Sequence, residues 1–392
     1  MSKLKYGPPD GDADRREYAQ VAATAFGANP DDFRQWIHDQ PADNTRILRD
    51  GKRIVGGLVV YRAGQYFGGR SVPTWGIAGV SVSPELRGKG IARTLMKECL
   101  AEAAEEGIAL STLYPATQRL YRNLGWEIGG RRVRLRVPVK DLPAHPTPNV
   151  EQVAADDPRI HELYSKWAAT RPGTMDRSPP LWMRIRRAPK DQPVYTWLAT
   201  EDGKPAGYLM YVAQREGTVL NFDIFVRDFV WLNPDARDQL IGLLAGQRTV
   251  TTDTNLPVAD DDPAIASILP GHSVRVADHM LWMLRIVNVR AALAGRGWPP
   301  IDASLEFRVT DTEVAANHGG WKLDLKLGVP TVTVSKAKSL PVIDVRGLAA
   351  LFSGRVNADQ ARAMGLLTGP TDQDGLIAAV FAGASPWMPD FF

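Results

Sequence analysis

The chain has 392 residues, more than one ordinary hydrophobic core takes, so two or three domains are expected. It is 44% hydrophobic and 23% charged, as globular proteins are, and its 47 basic and 44 acidic residues leave a net charge of only +3. That balance is too even to imply nucleic acid or an anionic membrane as the main partner, and the single cysteine, Cys99, excludes an intramolecular disulfide and a cysteine metal cage.

No stretch approaches the ~18 apolar residues of a membrane span. The opening "MSKLKYGPPDGDADRRE" lacks the apolar centre of a secretory signal, and a reducing, cytoplasmic setting is expected. Residues 14–26 read as a helix, with Tyr18, Val21, Ala22, Ala25 and Phe26 near one face. "TRILRDGKRIVGGLVVYRAGQYF" reads as a hairpin turning at Asp50-Gly51, and "TWGIAGVSVSP" as a buried strand. A helix follows from about Gly90 to Glu106, burying Ile91, Leu95, Cys99 and Ala103. "IALSTLYP" is the next strand, and "TQRLYRNLGW" a short helix closed by Gly125. This alternation predicts an α/β domain on a mixed sheet.

The proline-rich stretch 138–153 is expected to be a linker. Beyond it the pattern repeats weakly. "EDGKPAGYLMYV" at 201–212 echoes "RDGKRIVGGLVVY" at 49–61, and 230–247 echoes 80–98, with Pro234 under Pro84 and Arg237 under Arg87. Gly88 and Gly90 become Asp238 and Leu240, so a second copy would have lost the chemistry of that turn. From Ile286 the texture changes. "NVRAALAGRGW" reads as a short helix. "SLEFRVTD" and "GWKLDLKLG" read as antiparallel strands with Leu323, Leu325 and Leu327 on the buried face, and two helices follow. This is a separate α+β domain.

The stretch that carries chemistry is "GVSVSPELRGKGIARTLMKECL", 79–100. A buried strand runs through a basic, glycine-rich turn straight into a helix. Gly88 and Gly90 let the backbone approach a ligand, the free N–H groups of the turn and the helix start point one way, and Arg87, Lys89 and Arg93 add charge. Such a turn is suited to a pyrophosphate. Neither G-x-x-x-x-G-K-[ST] nor G-x-G-x-x-G is present.

V-x-V-x-P-x-x-R-G-x-G-I-A resembles motif A of the GNAT (Gcn5-related) acetyltransferases, and "LYRNLGW" is similar to a later helix of that family. The whole layout resembles the enhanced-intracellular-survival (Eis-like) acetyltransferases. It implies an N-terminal GNAT domain over 1–143, a degenerate GNAT-like domain over 144–285, and a sterol-carrier-protein-type domain over 286–392 that delivers the C-terminus to the site. The resemblance implies acetyl-coenzyme A as co-substrate, no metal, and a homo-oligomer, which in this family is a hexamer. Val80, Ser81 and Val82 would bond the pantetheine arm and polarise the thioester carbonyl. Arg87, Gly88, Lys89, Gly90, Ile91, Ala92 and Arg93 would wrap the pyrophosphate, and Ala116 and Thr117 would flank the thiol. Tyr121 matches the general acid, and the terminal carboxylate of Phe392 the base or proton relay.

The chemistry agrees with those roles. An amine must be neutral to attack, and a lysine amine has a pKa near ~10.4, so a proton acceptor is needed. A thiolate leaving group, of thiol pKa about 8.5, gains from a donor such as tyrosine. On the residues alone Tyr121 is equally a core aromatic. A free α-carboxyl, of pKa about 3.5, is a weak base in water, and burial among aromatics raises it. The family often places an acid beside the terminal Phe, where this chain has Phe391 and then Asp390.

Trp36, Trp182 and Phe391 are candidates to line the amine site, and Trp387 is a further one, because aromatic faces attract cations. With 11 tryptophans in the chain, packing in the core is the commoner role. Cys99 reads as an inert core residue, and the histidines show no metal spacing. "PVADDDP" is a solvated turn by default and a rim for polycations otherwise. The acceptor implied is a primary amine, on an aminoglycoside-like polyamine or a lysine side chain. A non-catalytic scaffold binding acyl-coenzyme A or lipid is the alternative reading.

Overall fold

The computed structural model describes residues 4–146, 148–187, 192–215 and 221–392. Among these, 13 strands form one sheet that runs through the first two-thirds of the chain, and five more form a second sheet in the last third. In the first part, helix Gly11–Phe26 leads into strands Thr45–Asp50, Arg53–Phe67 and Arg70–Val82, joined as antiparallel neighbours. Helix Ile91–Glu105 then crosses back to the parallel strand Leu110–Leu113. It buries Ile91, Leu95, Met96, Cys99, Leu100 and Ala103 on the sheet. Burial of each large side chain there stabilises by roughly 1.5–3 kcal/mol. Cys99 is fully buried, and burial pushes its thiol pKa up to about 12, so it stays an inert thiol.

The repeat seen in the sequence is structural. Strands Tyr195–Glu201, Lys204–Gln214 and Phe222–Trp231 form an antiparallel set, helix Pro234–Ala245 follows, and strand Thr251–Leu256 returns parallel to Phe222–Trp231. The helix start differs from its counterpart. Asn233 caps it, accepting from the Ala236 N–H at 2.9 Å, where the first copy has an uncapped glycine.

The two copies share their sheet. Strand Arg275–Ile286 comes from the second copy in sequence, yet it lies between Leu110–Leu113 and Glu127–Pro138 of the first and pairs antiparallel with both. The expected linker is not a free tether either. Val139 and Leu142 are buried, and Val150–Val153 is a strand paired with Tyr195–Glu201; Thr147 lies outside the described residues.

In the last part, Ala303–Thr310 and Gly319–Lys326 alternate as expected, with Leu323 and Leu325 buried. Leu327 departs from the pattern: it is 72% exposed at a positive φ of 49°, one of two turn residues between Lys326 and Val329. The hairpin needs left-handed backbone there, and the turn overrides the alternation. Five helices were not expected, Pro30–His38, Pro158–Ala169, Pro179–Arg186, Pro263–Ala266 and Asp374–Phe381.

Candidate active site

The site begins where two parallel strands part. Arg70–Val82 pairs with Leu110–Leu113 only from Thr74 to Ile77, leaving Ala78–Val82 without a neighbour on that side. On its other edge the register slips between Val59↔Ala78 and Gly57↔Ser81, so a bulge carries Gly79 and Val80. A bulge leaves a residue out of the ladder and re-aims the strand. Gly79 sits at a φ of 61°, its carbonyl accepting from the Tyr18 hydroxyl at 2.8 Å. A Cβ there would come within 2.6 Å of the Trp36 ring, so the bulge and the tryptophan fit only through glycine. Ser81 and Val82 are buried behind it.

Beyond the bulge lies the basic turn. Arg87, Gly88, Lys89 and Gly90 are exposed, and both glycines hold φ near +80° with open space where a Cβ would stand. They are glycine for backbone conformation, not for room. Gly90 heads helix Ile91–Glu105 with no side-chain cap, so the first-turn N–H groups of Ile91, Ala92 and Arg93 keep their hydrogen-bonding capacity. Arg87 also donates to the Ala25 carbonyl at 2.7 Å, and Arg93 pairs with Glu313 of the last sheet domain at 3.0 Å. An uncapped, exposed, cationic helix start beside an unpaired strand edge fits a pyrophosphate with an amide-bearing arm.

A cleft of about 510 Å³ opens at the parted strands, lined by Gly79, Val80, Ala116, Trp36, Tyr121, Phe391 and Phe392 among others. Tyr121 is buried on helix Gln118–Arg122, edge-on to Trp126. Burial pushes its pKa up to about 12, so the phenol holds its proton at neutral pH. Trp36 donates its indole N–H to the Tyr61 hydroxyl at 3.0 Å, which fixes the ring as a wall. Thr117 stands exposed at the N-cap of the Tyr121 helix. Trp182 does not line the cleft. It is 3% exposed and packs against Tyr164, Arg177 and Arg186.

The C-terminus enters this cleft under restraint. Met388 N–H donates to Arg131 C=O and Trp387 N–H to Pro172 C=O, both at 3.0 Å, and Trp387 is buried against Trp167. The Asp390 carboxylate is 2% exposed and accepts from Arg177 at 2.7 Å, and Arg177 also pairs with Asp228 at 2.5 Å. The Tyr208 hydroxyl completes this buried group by donating to Asp228 at 2.6 Å, and the Tyr164 hydroxyl, which donates to the Met175 carbonyl at 2.7 Å, lies 3.3 Å from Asp390. Burial holds the Asp390 carboxyl above its ordinary pKa, against the pull of Arg177. Tyr114 donates to the Asp390 carbonyl at 2.6 Å, and its ring packs on Phe391 and Phe392. The Phe392 ring lies over Gly76, where a Cβ would approach it to 2.9 Å.

Trp36, Asp32, Arg184 and Phe391 also face a second lobe of about 630 Å³. Arg132, Arg134, Arg187 and Arg227 line it with Asp39. The acids of "PVADDDP" lie elsewhere and are spent: Asp260 and Asp261 pair with Arg131, and Asp262 caps helix Pro263–Ala266. Sequence reasoning missed Arg184, Tyr114 and the Arg177–Asp228–Asp390 group. A glycine inside the β-branched run 77–82 was a legible sign of the bulge.

Parted parallel strands, a bulge and an uncapped basic helix start define an acyl-coenzyme A-dependent transferase. Residues 11–129 and 173–286 each match acetyltransferase (GNAT) domain families, and residues 289–389 match a sterol carrier protein domain. A GCN5-related N-acetyltransferase from Anabaena variabilis superposes over the full length of both chains with a TM-score of 0.94 and 31% identity. Another from Kribbella flavida gives 0.86 and 27%, over 100% of this chain and 98% of its own. Eis1 from Mycobacterium abscessus shares the fold over both full lengths, with a TM-score of 0.82 at 20% identity. An uncharacterised N-acetyltransferase of Streptomyces griseus is 29% identical over 355 residues, 83% of each chain. The chain therefore belongs to the GCN5-related N-acetyltransferases, in the Eis-like arrangement of two GNAT domains and a sterol-carrier-type domain. GNAT domains use acetyl-coenzyme A as co-substrate.

Proposed function

We propose that this chain acetylates a primary amine by direct attack on acetyl-coenzyme A, with Tyr121 as general acid and the Phe392 α-carboxylate as base or proton relay. The observation that supports this best is that Tyr121 and Phe392, 271 positions apart by residue number (392 − 121), line one cleft with the unpaired strand edge at Val80. Val80–Val82 would hold the pantetheine arm, and residues 87–93 the pyrophosphate. The amine nitrogen forms a bond to the thioester carbon as the C–S bond breaks. The amine's proton passes to the Phe392 carboxylate, directly or through a water, and Tyr121 gives its proton to the departing sulfur. The products are the N-acetyl amine and the free thiol. Of the two acceptor classes that the sequence suggested, the arginines of the outer lobe weigh against a polycation.

The test is thiol release from acetyl-coenzyme A with a panel of amines. Wild type is compared with Tyr121→Phe, with a chain lacking Phe392, and with a chain extended by one residue. The extension keeps every side chain and moves the carboxylate. All three variants are expected to lose turnover, by ~10²–10⁴-fold for the acid. Equal turnover in all would overturn the mechanism.

A further inference from the structure

The outer lobe carries more cation than its own carboxylates answer. Of its five arginines, Arg132 pairs with Asp278 and Arg187 with Asp39. Among the described residues, no carboxylate pairs with Arg134, Arg184 or Arg227. Arg134 is 5% exposed, donates only to the carbonyls of Val226 and Asn255, and lies over the Phe225 ring at 3.9 Å. Its Nε is buried with no partner. Arg227 donates to the carbonyls of Ile185 and Arg184, and Arg184 to that of Phe391 at 3.0 Å. Burial, then the neighbouring charge of Arg132, pulls the Arg134 pKa down to about 9; burial and Arg184 depress that of Arg227.

Guanidinium groups gathered without an ion-pair partner of their own repel one another and lose hydration, a cost that Asp278 near Arg134 and Asp228 near Arg227 offset only in part. An oxyanion in the lobe would relieve both costs and meet planar forks suited to two-point contact. A polycation would meet repulsion. The one lining carboxylate without an ion-pair partner among the described residues is exposed Asp32.

We infer that the acceptor is a small primary amine joined to an oxyanion, a carboxylate or a phosphate. Its nitrogen reaches the Tyr121–Phe392 cleft, and its anion sits in the outer lobe on Arg134, Arg184 and Arg227. Trp36 and Phe391, which face both lobes, would flank the linking carbons. This deepens the proposed acetyl transfer and rests on it. The arginines would act as specificity-determining groups and would leave the acid and base unchanged.

The experiment measures thiol release with matched sets of amines: a neutral alkylamine, the diamine, the ω-amino carboxylate and the amino alkyl phosphate of one chain length. The wild type is expected to favour an oxyanion-bearing amine at least tenfold in kcat/KM over the neutral one. The two anionic arms tell carboxylate from phosphate. Arg227→Gln is expected to remove most of that preference while the KM for acetyl-coenzyme A stays put. Asp32→Asn, on an exposed residue, is expected to lower the KM for the anionic amine two- to threefold, and it carries the test should Arg227→Gln misfold. A diamine used as well as the anionic amines, or a preference untouched by both variants, would overturn the inference. A second readout separates this from failure of the acetyl-transfer reading. With saturating coenzyme A covering the basic turn, inorganic phosphate is expected to raise the melting temperature of wild type over chloride at equal ionic strength. It is expected to do so less for Arg227→Gln. A phosphate effect without turnover of any amine would overturn the activity and keep the anion site; no effect at all would overturn the site.

Discussion

A phenol that hands a proton to a departing thiolate must keep that proton over the working pH range. Burial of Tyr121 does this by moving its pKa to about 12. In the proposed mechanism the protonated form is the active one, so its loss belongs near pH 12 and not near the ordinary 10. The pH profile of kcat/KM is therefore expected to stay flat with respect to this group from pH 7 to 10. A falling limb centred near 10 that vanishes in Tyr121→Phe would contradict the assignment. Gly76→Ala probes the other partner, because its Cβ would press on the Phe392 ring at 2.9 Å. The expected outcome is about a tenfold loss of kcat, the scale of a small misplacement of a catalytic group, with the KM for acetyl-coenzyme A unchanged. Tyr121 and Phe392 could be proposed from the sequence because the family resemblance matches them to a motif and to a chain end. Arg177 and Asp390 could not, since 213 residues separate them and neither stands in a motif. Trp182 misled because an aromatic face that attracts cations can line a pocket or, as here, hold the chain's own arginines, Arg177 and Arg186.

The same division holds for elements. The helix Ile91–Glu105 was readable because its period-four stripe and its glycine turn agree. Helix Pro30–His38 was not expected although its start signals are in the sequence: Asn29 accepts from Asp31 N–H, Pro30 holds the first position and two acids stand in the first turn. Asp374–Phe381 has no side-chain cap and buries Ile377, Val380 and Phe381, so tertiary packing alone defines it. Gly90 is the element-level test of the basic turn. Its φ of 79° suits glycine, and alanine there costs roughly 1–2 kcal/mol, although a Cβ would meet nothing within 4 Å. Gly90→Ala is expected to raise the KM for acetyl-coenzyme A severalfold through reorientation of the free N–H groups, with kcat at saturation close to wild type. An unchanged KM would mean that the turn does not hold the pyrophosphate.

At the scale of the whole molecule, one strand and one arginine join the three parts. Strand Arg275–Ile286 closes the first sheet from the second copy, and the local pattern of apolar residues cannot reveal which neighbours a strand will take. From that strand Arg285, fully buried, donates to the carbonyl of Leu124 at 3.0 Å and pairs with both oxygens of Asp311 at 2.8 Å. Leu124 follows the Tyr121 helix, and Asp311 follows the first strand of the sterol-carrier-type domain. Asn317 ties the same point, donating to Asp311 at 2.9 Å and to the carbonyl of Val287 at 3.0 Å. The domain that ends in Phe392 is thus clamped to the back of the domain that carries Tyr121. Removing one member of a buried pair leaves the other charge without compensation, which costs about 3–5 kcal/mol. Asp311→Ala is therefore expected to unfold at distinctly lower denaturant or temperature than wild type. Asp311→Asn should lose less, because it keeps one acceptor for Arg285 and for the backbone N–H groups of Glu313 and Val314. If the clamp also sets the reach of the C-terminus, Asp311→Ala assayed well below its melting point should lose kcat and keep its KM for acetyl-coenzyme A, since residues 80–93 lie on the first domain. Loss of stability with full kcat would assign the pair to folding alone, and the restraint on Phe392 would then rest with Asp390 and Arg177.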